Sequence, residues 1–421
     1  MRSKTGWCAM LLAAGMALAP AGAQAQPGVE YRPDPDIPIP LGHPRMDVVG
    51  GWYTALEYVM YRQTNPIRHQ LLAVRGLVDV DGAITGDLNG TVVNTDTDVP
   101  FIIRGPLVPG NFLGSGAPAL FSDDLKGQET FQPGWRMTLG YRFNSGSALE
   151  ASWLHLASAK YFANASLIPT GFAGIGATGP LLADTFLFLP FFNLPPEFGG
   201  PLQETAIGNP GSAYGLFNGA INTSIDFTQR FDQVDFRGRV PWTPLTNECT
   251  RCYGFAGGRF AWIWERFKMR TTAADFSGAS TPQDVAIYNN IVSNRMYGPF
   301  IGWGIERYIG YGFAIGLESE AAGLLDVSKE RATLERSDRA IQLKKAVTYF
   351  SVTPEVAANA QLYWYPWEGV QIRAGYNFMA FFNTQAAENP VAFDARSFDP
   401  DWKSRAVRFL DGFNVGIGFI F

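Results

Sequence analysis

The chain is poor in the residues that most often carry chemistry. Three cysteines and three histidines among 421 residues are too few for a multi-metal protein. Charged residues make up only 17%, and the formal net charge of −5 leaves no basic excess, which excludes a general nucleic-acid binder. Beyond the N-terminus no run is long and apolar enough for a spanning helix. A mean hydropathy of −0.02 likewise excludes a bundle of membrane helices. No G-x-S-x-G elbow is present to supply a hydrolase nucleophile. Phe 32, Tyr 16, Trp 11 and Gly 46 are instead abundant, the composition of an aromatic, glycine-rich β protein.

The N-terminus reads as an export signal. Arg2 and Lys4 precede an apolar stretch from Trp7 to Ala19, then Pro20 and the small-residue site Ala23-Gln24-Ala25. This pattern predicts a Sec-type signal peptide over 1–25. Residues 26–49 form a Pro-rich periplasmic lead-in holding Pro33, Pro35, Pro38 and Pro40, which leaves 50–421 for the folded domain.

That domain is dominated by period-2 alternation over about ten residues, the length of a membrane-crossing strand. From Pro133 to Asn144, Trp135, Met137, Leu139, Tyr141 and Phe143 alternate with Arg136, Thr138, Gly140 and Arg142. The turn 144–146 reverses the chain into Leu149, Ala151 and Trp153 opposite Glu150 and Ser152. The same signal recurs at Trp52 to Tyr61, more weakly at Ile225 to Arg239, and then around Trp262 and Trp264. It returns around Trp303, from Phe313 to Leu317, from Phe350 to Trp364, from Val370 to Phe378, and from Phe413 to Phe421. Ten candidate strands result. Their connections alternate between short (144–146, 240–252, 308–310, 365–368) and long (62–132, 163–224, 271–293, 323–345, 384–408). A further hairpin, Leu71–Val80 with Thr91–Arg104, would fit in the first long link.

Unpaired backbone polar groups cost several kcal/mol each in hydrocarbon, so a sheet in a membrane must close. The expected fold is therefore all-β: a single antiparallel transmembrane β-barrel of 10–14 strands with short periplasmic turns and long extracellular loops. Alternation sends Arg136, Arg142, Glu150, Glu318, Glu320, Glu355, Asn359, Gln361, Arg373 and Asn377 into the lumen, with Gln371 and Asn414. Arg142 with Glu150, and Glu355 with Arg373, lie on adjacent strands and suit an Arg–Glu ladder. Lipid or its interface is expected for Trp135, Tyr141, Trp153, Trp262, Trp264, Trp303, Trp364 and Phe421, with Trp52, Tyr53 and Trp367 in the girdle.

The early strand Gly51-Trp52-Tyr53-Thr54-Ala55-Leu56-Glu57-Tyr58, the hairpin from Gly134 to Phe143 followed by Leu149-Glu150-Ala151, and the strand ending at Phe421 together resemble the outer-membrane β-barrel proteins of planctomycete bacteria, over about residues 46–421. The resemblance implies an outer-membrane barrel and brings no substrate or catalytic residues with it. Hydrophobics at every second position from Phe413 to Phe421 also look like the strand that barrel-assembly machinery recognises.

The expected partners are outer-membrane lipid, that machinery and small solutes, with no nucleic acid, cofactor or metal. About eight strands hold only side chains and 16–18 hold water, so ten to fourteen predict a narrow porin-like channel. A surface structural or adhesive barrel with a filled lumen is the alternative. The apolar loop Thr185 to Pro196 suits a plug in the barrel mouth, with a position at the membrane surface as the alternative. Cys249 and Cys252 form a candidate disulfide stapling a periplasmic turn. His155 near Ser158 leaves a lipid hydrolase as the weakest reading; no enzyme activity is expected.

Overall fold

The computed structural model describes residues 51–79, 91–93, 101–103, 111–125, 131–166, 186–195, 198, 216–217, 219–242, 250–273, 280–367, 369–400, 402 and 404–420. The expected signal peptide, the Pro-rich segment, Cys249 and Phe421 lie outside them.

Ten antiparallel strands close into one barrel. They are β1 (Gly51–Gln63), β2 (Gln132–Arg142), β3 (Ala148–Ser166), β4 (Asn222–Pro241), β5 (Thr250–Thr272), β6 (Val285–Gly310), β7 (Phe313–Arg336), β8 (Gln342–Trp367), β9 (Val370–Gln385) and β10 (Arg405–Ile420). Each pairs with its sequence neighbours, and β1 pairs with both β2 and β10, for example Leu56 with Met137 and with Ile417. With both backbone edges used, no barrel strand offers an open ladder to lipid. On β10 the apolar Phe413, Val415, Ile417 and Phe419 are exposed on the outer wall, while Asn414 is buried inside. This is an oily exterior around a polar interior, the reverse of a soluble fold.

The strands are longer than the alternation predicts. β6 and β8 each run 26 residues, where about 9–11 tilted residues span a bilayer. The expected links 271–293 and 323–345 shrink to 273–284 and 337–341. The reason is a reversal of pattern above the membrane. There Phe267, Met269, Ala332 and Leu334 are buried inside, and Arg270 and Lys344 are exposed outside. Water replaces lipid at that height, so the apolar side turns inward.

The additional hairpin does not join the barrel. Leu71–Arg75 pairs with Pro118–Phe121 and with Leu187–Phe188, Leu77–Asp79 with Asn111–Leu113, and Thr91–Val93 with Phe101–Ile103. Apolar residues from these loops fill the long-loop half of the barrel. Ile67, Leu72, Leu120, Leu187, Phe191, Phe217 and Trp402 form one buried cluster with the strand residues Phe227, Phe267, Tyr288 and Leu334. Polar anchors hold the filling in place. The Tyr288 hydroxyl and the Asn290 amide both donate to the Pro390 carbonyl at 3.0 Å, and Trp402 Nε1 donates to Asn290 Oδ1 at 3.1 Å.

Candidate functional site

The barrel interior below the loops divides into a polar vestibule and an apolar septum. The vestibule is a cavity of about 970 Å³ whose rim at the short-turn end includes Asn144, Ser145, Gly146 and Pro241. Arg136, Arg142, Glu150, Glu318, Glu320, Asn359, Gln361, Arg373 and Asn377 all line it. Glu355 lies just beyond the lining, buried and bound to Arg259.

Alternation fixes which side chains enter, but the pairs form across the lumen as well as along the wall. Glu150 accepts from Tyr53 Oη and from Arg237, and Arg239 Nη2 lies 3.3 Å from it. The same two guanidiniums reach Glu318 at 3.3 and 3.1 Å, and Tyr253 Oη donates to it at 2.7 Å. Deeper, Arg259 binds Asp235 through Nε and Nη2 at 2.7 and 2.9 Å, Glu355 at 2.5 Å and Glu320 at 2.6 Å. One cation thus meets three carboxylates while almost wholly buried. Such an arrangement is tolerable only with every donor well placed.

On the facing wall Glu57 takes Arg373 at 2.9 Å, Arg136 at 3.5 Å and the Asn414 amide at 3.1 Å. Asn414 Oδ1 in turn accepts from Asn377 at 2.9 Å and Gln361 at 3.2 Å, and Gln361 Nε2 donates to Asn359 at 2.8 Å.

Arg142 with Glu150, and Glu355 with Arg373, do lie on adjacent strands, but not directly opposite one another. Gly140 stands opposite Glu150, so Arg142 is two positions away; Arg373 stands opposite Tyr363 and Glu355 opposite Phe381. Adjacent strands do not put Glu355 and Arg373 side by side. The position of Tyr53 is corrected: Trp52 faces out and packs on Tyr141, so strict alternation turns Tyr53 into the lumen. Glu57, Asp235, Arg237, Arg239 and Arg259 are key members of the network that sequence reasoning missed. Their parity was the available signal. Each falls between outward positions, Glu57 between Leu56 and Tyr58, and Arg259 one residue before Phe260.

Above the vestibule the lumen is shut. Val59, Leu154, Leu156, Phe231, Ile263, Met296, Leu324, Met379, Phe381 and Leu410 form a continuous buried cluster drawn from opposite walls. Phe231 and Phe381 meet with ring centroids 6.0 Å apart. Over this septum Arg408 and Glu265 pair at 2.6 Å, and Gln229 Nε2 donates to Glu265 at 2.9 Å. The segment around Phe186, Leu187, Leu189 and Phe191 packs into the loop cluster as a plug rather than lying on the membrane.

The expected lipid-side tryptophans stand on the outer wall. Trp153 and Trp303 are exposed, Trp135 packs edge-on against Trp153, Trp364 stacks on Phe313, and Trp262 Nε1 donates to Ser293 at 2.9 Å. His155 is also outside, its Nδ1 2.7 Å from Asp232. Ser158 accepts from Arg230 Nε at 3.0 Å, and no hydrogen bond joins His155 to Ser158 among the described residues.

A closed barrel with a greasy wall and a charged interior defines an outer-membrane β-barrel protein. Residues 114–420 match the family model described as the Legionella pneumophila major outer membrane protein precursor, and the chain belongs to that family and to the outer membrane. No curated protein matches the chain. Among solved structures it is similar to the outer membrane protease OmpT of Escherichia coli, at 9% identity over 88% of this chain and 97% of that one, with a TM-score of 0.38. It is also similar to a FadL homologue of Pseudomonas aeruginosa, at 7% identity over 88% and 90% and a TM-score of 0.21. The TodX monoaromatic hydrocarbon channel, as a ΔS2S3 mutant, gives 7% over the same shares and a TM-score of 0.23.

Proposed function

We propose that the protein is a non-enzymatic, narrow, porin-like channel for small polar solutes, closed at its septum, built on a barrel whose strand motifs resemble those of planctomycete outer-membrane barrels. One observation carries this reading: a solvent-sized polar vestibule of about 970 Å³ is kept open beneath the septum. A barrel needed only as a scaffold gains stability by filling such a space with side chains, as it does in its other half. The vestibule instead holds guanidinium and carboxylate groups on facing walls, which suits solutes carrying both donors and acceptors. The septum is made of side chains alone, so rotamer changes at Phe231, Met379 and Phe381 can open it without breaking the barrel.

The test is planar-bilayer conductance. Wild type is expected to be mostly silent, and a Phe231→Gly/Phe381→Gly variant with the plug segment 186–195 deleted to give steady small steps. Folded septum variants that stay silent, even with the plug segment 186–195 deleted, would overturn the channel. They would favour the filled structural barrel, the reading for which the complete burial of the septum speaks.

A further inference from the structure

The outer wall carries a cationic patch at the upper edge of its apolar band. Arg230 on β4 stands opposite Trp264 on β5, Trp264 opposite Ser293 on β6, and Ser293 opposite Lys329 on β7. One row nearer the long loops, Arg266 stands opposite Ile291 and Ile291 opposite Arg331; one row nearer the turns, Arg295 stands opposite Trp262. Strands lie about 4.8 Å apart, so these five cations share a strip about 15 Å wide.

None of the five is in an ion pair among the described residues, whereas the lumen cations beneath the same wall are almost all paired. The nearest outward carboxylate in the lower row, Asp232, is already held by His155 and Trp153. Trp264 lies between two guanidiniums, Arg230 at 4.8 Å and Arg266 at 5.8 Å from its ring centre. Arg266 Nε is buried without a hydrogen-bond acceptor among the described residues. An uncompensated guanidinium donor held beside an interfacial tryptophan lacks an anion, and at this height the membrane supplies one. Below the strip the wall is apolar; above it, it is polar. Hydrocarbon therefore ends here, and the headgroups of the leaflet on the long-loop side begin.

We propose that this strip binds the phosphate of an anionic lipid headgroup, with Arg230, Arg266 and Lys329 gripping the phosphate and Trp264 packing beneath it. The role is independent of whether the lumen conducts.

The full-length protein in phosphatidylcholine nanodiscs tests this, with brominated phosphatidylglycerol or brominated phosphatidylcholine as the probe. Trp264 fluorescence is taken as the difference between wild type and Trp264→Phe. The proposal expects stronger quenching by brominated phosphatidylglycerol at equal mole fraction. It expects that preference to fall about fivefold for each of Arg230→Gln, Arg266→Gln and Lys329→Gln. Lys329 is exposed, so Lys329→Gln reads the effect without risk to the fold. Equal quenching by the two lipids, or a preference unchanged in Lys329→Gln and in the triple variant, would overturn it. Inorganic phosphate added at millimolar levels separates the sources: a preference that survives it supports the lipid headgroup, and one it abolishes assigns the strip to free phosphate and refutes the lipid.

Discussion

Arg408 of β10 and Glu265 of β5 face each other across the barrel at 2.6 Å, both wholly shielded from solvent. The pair sits between the apolar septum and the loop plug and ties opposite walls together. Gln229 shares it, donating to Glu265 at 2.9 Å and to the Thr64 carbonyl at 3.1 Å.

Removing one partner strands a buried charge. Glu265→Ala is expected to destabilise the barrel by about 3–5 kcal/mol, while the double variant Glu265→Leu/Arg408→Met recovers most of that loss. Urea midpoints of the folded protein in detergent, read by heat-modifiable gel mobility, measure both. Equal destabilisation in single and double variants would show that packing, not charge, governs the site.

Height on the outer wall sets the effect of a charge. Ile301 is 68% exposed and lies midway between the short turns and the cationic strip, so Ile301→Arg should cost about 2–4 kcal/mol. Trp262 stands opposite Arg295 at the membrane edge, and Trp262→Arg should cost only about 0–1 kcal/mol by the same depth dependence. The comparison uses the same urea titration in lipid vesicles.

Lumen aromatics lie over glycines on neighbouring strands. A methyl group at Gly140 would meet the Tyr53 ring, and one at Gly304 would meet the Tyr253 ring. Tyr53 binds Glu150 and Tyr253 binds Glu318, so either substitution disturbs the charge network. Gly140→Ala and Gly304→Ala are each expected to destabilise by about 1–3 kcal/mol. Gly258, with open space at its Cβ position, serves as the neutral control.

Acid should loosen the plug. Asn193 Nδ2 donates to Asp394 at 2.9 Å, and this bond, with the Arg396 amide, holds the Asp394 carboxyl below its ordinary range. A carboxyl with a depressed folded pKa adds stability above its unfolded pKa of about 3.9 and loses it as pH falls through the folded value. Hydrogen-exchange protection factors, corrected for the intrinsic rate at each pH, should fall below about pH 4 at the Phe192 and Ala395 amides, which bond Phe393 and Phe192 across this contact. Asp394→Asn should remove that pH dependence.

Much of the membrane-embedded wall was legible in the sequence because lipid enforces it. Phe413, Val415, Ile417 and Phe419 show outside and Asn414 inside, in strict alternation. The upper barrel was not legible. There Leu334 and Phe267 face an apolar plug and Lys344 faces water, so a rule tuned to lipid reads those strands as loops. The lumen residues were legible by parity and their partners were not. Glu355 finds Arg259, three strands away, because the lumen is narrow enough for side chains to cross it, and local spacing carries no trace of that.

A transmembrane barrel requires that one alternating set of side chains on each strand meet lipid. Single-cysteine spin labels at positions 413 to 419, in a background with the native cysteines replaced by serine, measure this by collision with oxygen dissolved in the bilayer. The predicted result is high oxygen accessibility at 413, 415, 417 and 419 and low accessibility at 414, 416 and 418. Uniform accessibility along the strand, or the inverse alternation, would contradict it.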